Sequence, residues 1–373
     1  MIVGYDSGSS HNIHGIGIYV NKLIKDFKRI DPDLELVGFE YSDFHNNMNI
    51  KERSIKFMMR NLFLSSGDPY WEWYKIPSLG KQKKIDIFHS TGSCAPRTNH
   101  FKTILTVHDL AYYHYPDYLS PRTIRFFKTW YRSSAKSADA IIAISENTKN
   151  DIIKFWKIPK KKIHVIHQGI PNHFFKRKES DIISSVLERY NIPKYYFLFV
   201  GELNYRKNVH TLIQSFKIFK KKDKKHKLVL VGKAQNEKYL NQINVLIRDL
   251  GLRKHVIMTK RVSNNELLCL YQAATAVVFP SLYEGFGLPI LEAFASETPV
   301  ISSNSSSIPE VAGDAGILVD PLDKKSIAIA MNKVLVDPAH INSLKRKGKA
   351  RAKELTSMKT AEKTLELYKN ILS

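Results

Sequence analysis

Short apolar runs alternate with amphipathic stretches along the whole chain. Runs at 1–5, 34–39, 85–89, 103–107, 140–144 and 163–167 predict one series of strands. Runs at 195–201, 227–232, 255–259, 276–280, 299–302 and 316–319 predict a second. They are apolar at consecutive positions, as strands covered on both faces are. The stretches 16–29, 122–136, 145–156, 208–222, 236–250, 264–273 and 288–296 repeat apolar residues at helical spacing. Strand–helix alternation builds parallel sheets with helices on both sides. Two such series predict an α/β protein of two doubly wound domains. Gly169-Ile170-Pro171-Asn172 and Asn191-Ile192-Pro193 break the pattern, which places the join at 169–194. The last segment, 340–373, is helical in pattern and rich in lysine.

Composition narrows the class. A chain of 373 residues exceeds one ordinary core and suits two domains. Its 43% hydrophobic and 11% aromatic content excludes wholesale disorder. No apolar run reaches the ~18 residues of a membrane-spanning helix. The opening Met1-Ile2-Val3-Gly4-Tyr5-Asp6 reads as a strand, not as a secretory signal. Cys94 and Cys269 stand too far apart in sequence to suggest a disulfide framework or metal cluster, and they suit a cytoplasmic setting. The net charge of +23 fits nucleic acid, an anionic membrane or an anionic substrate, or the Lys-, Ile- and Asn-rich drift of an AT-rich genome. The lysines between 220 and 227 read as the solvated end of a surface helix.

Four runs carry candidate chemistry. The first, Ser281 to Ala293, follows a predicted strand and contains Glu284, Gly285, Phe286, Gly287, Leu288, Pro289 and Glu292. Its glycines admit a ligand close to the backbone, and Pro289 suits the first turn of a helix. Free N–H groups at a helix start attract phosphate, and the two carboxylates can grip sugar and ribose hydroxyls. The plainer reading is a strand–turn–helix with two surface glutamates. The second run, Phe199 to Asn208, sets Arg206 and Lys207 after the first strand of the second series, where a diphosphate can be held. An exposed basic turn is the competing reading. The third, Gly15-Ile16-Gly17, resembles a phosphate loop but lacks the third glycine of a dinucleotide site. The fourth is His108 in Thr106-Val107-His108-Asp109-Leu110, with His89 in a similar strand-end position. Either can meet a substrate hydroxyl or be a loop histidine bonded for structure. No metal-ligand spacing, Walker lysine loop or Ser-His-Asp array is present; Asp31-Pro32-Asp33 reads as a plain turn.

Taken in this order, these runs resemble the retaining glycosyltransferases of family 4, with the GT-B fold of two Rossmann-like domains facing a cleft. Gly15 to Tyr19, Thr106 to Leu110 with Tyr115-Pro116, and Ala138 to Ser145 carry the likeness in the first half. Arg206-Lys207-Asn208, Glu284 with Glu292, and Pro309 to Gly313 carry it in the second. The resemblance implies domains at 1–170 and 171–358, with a final helix at 359–373 crossing back onto the first. It implies that Arg206 and Lys207 hold the donor diphosphate, that Glu292 binds the ribose and that Glu284 binds a sugar hydroxyl. Gly285 to Leu288 would offer backbone N–H groups, Arg261 and Val262 would border the base, Gly15 and Gly17 would meet phosphates, and His108 would stand beside the anomeric carbon. Departures are Glu202 where many members have arginine, Gln168 where many have asparagine, and Met358 where tryptophan is frequent. The Gln168 departure is expected to be neutral.

The expected activity is transfer of a hexose from a nucleotide sugar, without a metal or other cofactor, to a glycan or lipid-linked acceptor. The His108–Leu110 stretch with Tyr115-Pro116 suggests mannose from GDP-mannose; UDP-glucose and UDP-N-acetylglucosamine remain open. An epimerase or phosphorylase of similar shape is the rival among enzymes. A nucleic-acid-binding protein is the rival from another class, but no recognisable reading motif supports it. Around 50–64, Ile55, Met58, Met59, Leu62 and Phe63 share one helical face, with Arg53, Lys56 and Arg60 elsewhere on it. Tyr70, Trp71, Trp73 and Tyr74 follow. This predicts a basic amphipathic helix resting on an anionic membrane; a helix merely covering its own sheet shows the same pattern.

Overall fold

The computed structural model describes residues 1–7, 15–40, 71–92 and 94–373. These form two compact units, one of Met1–Gln168 with Ser357–Ser373, the other of Gly169–Thr356. Both are built as the apolar pattern requires, around a parallel sheet buried on both faces.

In the first unit the strands are β1 (Ile2–Asp6), β2 (Glu35–Phe39), β3 (Ile87–Ser90), β4 (Lys102–Val107), β5 (Ala140–Ala143) and β6 (Ile163–Val165). Their order is β2-β1-β3-β4-β5-β6, and every pairing is parallel. Successive side chains of a strand point to opposite faces. Ile104 and Ile142 therefore join one cluster with Val20, Leu23 and Phe27 of the helix Gly15–Ile30. Leu105 and Ile141 join another with Tyr131, Ile152 and Trp156. Each fully buried aliphatic side chain contributes about 1.5–3 kcal/mol, and the central strands β3, β4 and β5 are buried along nearly their whole length.

The helix Ser357–Leu372 completes the first cluster with Ala361, Leu365, Leu367 and Tyr368. Thr360 Oγ1 donates to the His167 carbonyl at 2.9 Å and fastens its first turns. The lysine-rich segment expected to be helical over 340–373 is two helices, Pro338–Glu354 and this one. Between them Ile170 N–H donates to the Leu355 carbonyl and Ile170 pairs with Thr356, a backbone contact that helical periodicity cannot encode.

The second unit has β7 (Tyr196–Val200), β8 (Lys227–Val231), β9 (Val256–Thr259), β10 (Ala276–Phe279), β11 (Val300–Ser303) and β12 (Ile317–Val319). The order β12-β11-β10-β7-β8-β9 reverses between β7 and β10. That crevice is the topological switch point, where ligands of open α/β sheets bind beyond the carboxyl ends of the strands. At those ends β7 and β8 run on into Gly201 and Gly232, both in the positive-φ region. A Cβ on Gly232 would lie 1.9 Å from the Gly201 carbonyl oxygen, so only glycine lets the two loops leave side by side.

Three features differ from expectation. A helix, Ser180–Arg189, occupies the join at 169–194; Val186 is its one buried residue, so its apolar face is thin. Lys220 is buried rather than solvated, with Nζ donating to the His226 carbonyl at 3.2 Å and lying 3.8 Å from Asp223. Trp71 is buried against Phe88 and Ile76, so it is no membrane anchor. The Trp73 ring lies 4.1 Å from that of Trp130, under the Arg97 guanidinium, and Tyr74 is exposed. The helix expected at 50–64 and Tyr70 lie outside the described residues. No described helix is long and apolar enough to cross a membrane.

Candidate active site

The loop after β10 and the loop after β7 meet at the switch point of the second unit. Leu282 N–H donates to the Arg206 carbonyl at 2.8 Å and ties the two backbones. The β7 loop is shaped by its asparagines. Asn204 Oδ1 accepts from Lys207 N–H at 2.9 Å, while its amide donates to Glu202 at 2.6 Å. Asn208 holds a left-handed backbone and donates to the carbonyls of Pro280 and Pro321. Arg206 and Lys207 are thereby turned toward the β10 loop. Glu202, for its part, braces the turn through Asn204.

There Lys207 Nζ donates to Glu284 Oε1 at 2.6 Å, and Arg206 Nη1 donates to Oε2 at 3.2 Å and to the Tyr283 carbonyl at 2.9 Å. The ammonium also faces the Phe279 ring at 4.9 Å. Glu284 is 6% exposed. Burial alone would raise its carboxyl, but Lys207 and Arg206 more than offset this and hold it below the usual glutamate range. Two cations and one carboxylate leave a net positive charge, suited to an anion.

Beyond Glu284 the chain passes Gly285 and the buried Phe286 to Gly287, whose φ of +115° places it in the region that favours glycine. The helix Leu288–Ala295 follows, with Pro289 in its first turn. Glu292 lies on this helix, half-buried, and its Oε2 accepts from the Tyr271 hydroxyl at 2.8 Å. Tyr271 is fully buried; burial and then the Glu292 charge raise its phenol well above the ordinary value, so it stays a donor.

A serine run that begins in the last residues of β11 and continues past it holds the loop. Ser302 and Ser303 Oγ donate to the carbonyls of Phe279 and Ser281, each at 2.6 Å. Ser306 Oγ accepts from Glu284 N–H at 2.9 Å. Ser307 Oγ stands 2.9 Å from the carbonyls of both Glu284 and Phe286 and donates between them. The run and Tyr271 were not singled out from sequence. A polar run directly after an apolar strand is the signal that marks the former; nothing local marks the latter.

The structure thus brings Arg206, Lys207 and Glu284 into contact. Glu292 sits about one turn into the helix that follows. Arg261 and Val262 lie at the same carboxyl end of the strands, on the loop after the edge strand β9, with Arg261 exposed. Gly15, Gly17 and His108 belong to the first unit. Gly15 and Gly17 fall inside the first turn of the helix Gly15–Ile30 rather than before it. His108 follows β4, half-buried, with Nε2 at 2.7 Å from the Thr91 carbonyl and Nδ1 at 3.0 Å from the Gln168 amide. Its own carbonyl accepts from Thr148 Oγ1. Burial lowers its pKa, against the opposing effects of Thr91 and Asp109. Behind it His89 links Tyr368 (2.6 Å) and Thr106 (2.7 Å), and burial, aided by His108, pushes it down to about 3. Among the described residues no three His, Cys, Asp or Glu side chains converge as a metal would require.

Known proteins share this plan. The profile described as Glycosyltransferase Family 4 matches residues 13–173, and that of Glycosyl transferases group 1 matches residues 187–351. O-antigen chain mannosyltransferase B of Escherichia coli is 29% identical over 271 residues, 72% of this chain and 70% of its own length. The serotype-specific mannosyltransferase WbdA of Escherichia coli is 30% identical over 73% of this chain, but the match spans only 34% of that longer protein. The crystal structure of Anabaena HepE in complex with UDP-glucose superposes with a TM-score of 0.76, covering 99% of both chains at 16% identity. A likeness at that identity speaks for the fold alone.

Proposed function

The chain belongs to glycosyltransferase family 4, enzymes of the GT-B fold, and from that premise we propose that it transfers mannose, with retention, from GDP-mannose to a growing glycan or lipid-linked acceptor. The observation that carries the donor reading is the buried group of Arg206, Lys207 and Glu284 at the switch point, beside a helix start opened by Gly285 and Gly287. A nucleotide sugar loses its diphosphate as the anomeric bond breaks, so negative charge grows on the leaving oxygen. Lys207 and Arg206 sit fixed and partly desolvated, and they stabilise that charge more in the transition state than in the bound donor. Glu284 takes a sugar hydroxyl, and Glu292, oriented by Tyr271, takes the ribose. Retention follows if the acceptor attacks from the face the diphosphate leaves, with its proton passing to that phosphate. In this reading Arg206 and Lys207 supply the charge that a metal ion would otherwise bring.

Mannose rests on the mannosyltransferases among the similar proteins. UDP-glucose and UDP-N-acetylglucosamine are the donors the sequence leaves open beside it. Hydrolysis of GDP-mannose, UDP-glucose and UDP-N-acetylglucosamine by the purified protein separates them. A folded Glu284→Ala, Glu292→Ala double variant is expected to lose the preferred hydrolysis; full turnover by it would remove the donor site from this loop. The +23 charge supports attachment to an anionic membrane near a lipid-linked acceptor. Sedimentation with vesicles should then rise with anionic lipid and fall with salt. Equal recovery in the supernatant with neutral and anionic vesicles would exclude it.

A further inference from the structure

Both ring nitrogens of His108 are engaged, and the partners fix which one carries the proton. The Thr91 carbonyl can only accept, so Nε2 holds the hydrogen at 2.7 Å. A neutral ring then has its lone pair on Nδ1, where the Gln168 amide donates at 3.0 Å. Gln168 is 6% exposed. The Tyr19 ring stands edge-on to the imidazole at 5.3 Å and 88°, which bars rotation from a third side. Asp109 is the charged neighbour, with Oδ1 accepting from Ala111 N–H; His89 and Tyr19 are the other titratable groups nearby. Gln168 closes the first unit, and Gly169 opens the second. The carbonyl just before it is tied to the last helix through Thr360.

We propose that Gln168 is a positioning residue that, with the Thr91 carbonyl fixing the Nε2–H tautomer, occupies the Nδ1 lone pair of His108 and leaves none to take up the acceptor's proton. The inference rests on the transfer reading above and on the family resemblance, which implies that His108 stands beside the anomeric carbon, and it deepens that reading. With Nδ1 already accepting and Nε2 already donating, the imidazole cannot act as the base. The new glycosidic bond forms from the acceptor oxygen to the anomeric carbon as the bond to the diphosphate breaks. The acceptor's proton goes to the departing phosphate oxygen. The expectation from sequence that Gln168 is a neutral replacement is set aside: an asparagine, one carbon shorter, would bring its amide less far toward the ring.

The test is the ring's own spectrum. In the wild-type protein, 15N shifts of His108 should show a bare Nδ1 and a protonated Nε2, with a titration midpoint below that of a free histidine. Gln168→Glu puts a carboxylate against Nδ1; it should raise the midpoint by about one pH unit or more. Gln168→Leu removes the donor at similar volume; Nε2 should stay protonated against Thr91 while the Nδ1 shift moves to that of an unbonded lone pair, and kcat should fall about tenfold or more, with the donor KM changed far less. A wild-type ring protonated on Nδ1, or a titration identical in all three proteins, overturns the proposal. This wild-type measurement needs no variant to fold. If the Nδ1 shift and the titration move as expected while kcat does not, Gln168 keeps its role and it is the placement of His108 at the reacting centre that fails.

Discussion

Glu284 is a carboxylate that stays ionised in a buried setting because two cations reach it. Removing one should therefore hurt twice. Lys207→Ala leaves the acid with Arg206 alone, and breaking a buried pair costs about 3–5 kcal/mol at the upper end; urea unfolding should show a loss of ~2 kcal/mol or more. In steady-state assays kcat should fall more than donor KM rises, since the leaving phosphate gains charge only as the bond breaks. A rise in KM with kcat intact would mean that Lys207 grips the ground state alone. The pH dependence has a definite sign. Glu284 is held below its ordinary value of 4.5, so its contribution is complete above that pH and is lost as acid protonates it. Residue type and the surrounding turn residues single these three out in the sequence, but that they bond one another is read from the fold alone. Tyr271 is not singled out, since an aromatic inside an apolar helix looks like core, and its hydroxyl meets Glu292 only through the fold. Gln168 was hidden for the same reason: its partner is 60 residues away.

At the scale of elements, the twelve strands among the described residues lie close to where the consecutive apolar runs placed them, because burial on both faces of the central strands favours unbroken apolar runs. The helix Ser180–Arg189 escaped notice since it buries little, with Ile182 left 46% exposed. The serine run that begins in β11 has no periodic signature either, yet it sets the position of the Glu284 backbone. Ser307→Ala removes the one hydroxyl donating between two buried loop carbonyls, a cost of about 1–3 kcal/mol. The expected result is a lower melting temperature and a higher donor KM, with Ser307→Thr restoring part of both. An alanine variant with wild-type melting and kinetics would show that water satisfies those carbonyls equally well.

The molecule as a whole depends on a histidine that cannot afford its charge. His89 is 1% exposed and held neutral down to about 3, whereas an unfolded chain protonates it near 6.5. Below that pH the unfolded state binds the extra proton, so the first unit should lose stability toward pH 4, by at most about 1.4 kcal/mol per pH unit. Melting curves of His89→Gln should be flatter over the same range; an unchanged slope would assign the acid sensitivity to other groups. The partner that holds His89 from the far side, Tyr368, comes from the helix Ser357–Leu372. That arrangement has a consequence in time. Synthesis runs from Met1 onward, so the ribosome finishes the second unit before it supplies the piece that seals the first. The unit made first is thus the last to close, and until then Leu23, Phe27 and His89 lack their cover. A nascent chain of this protein therefore carries an open apolar face through the synthesis of the whole second unit, and loses it only when the helix Ser357–Leu372 leaves the exit tunnel.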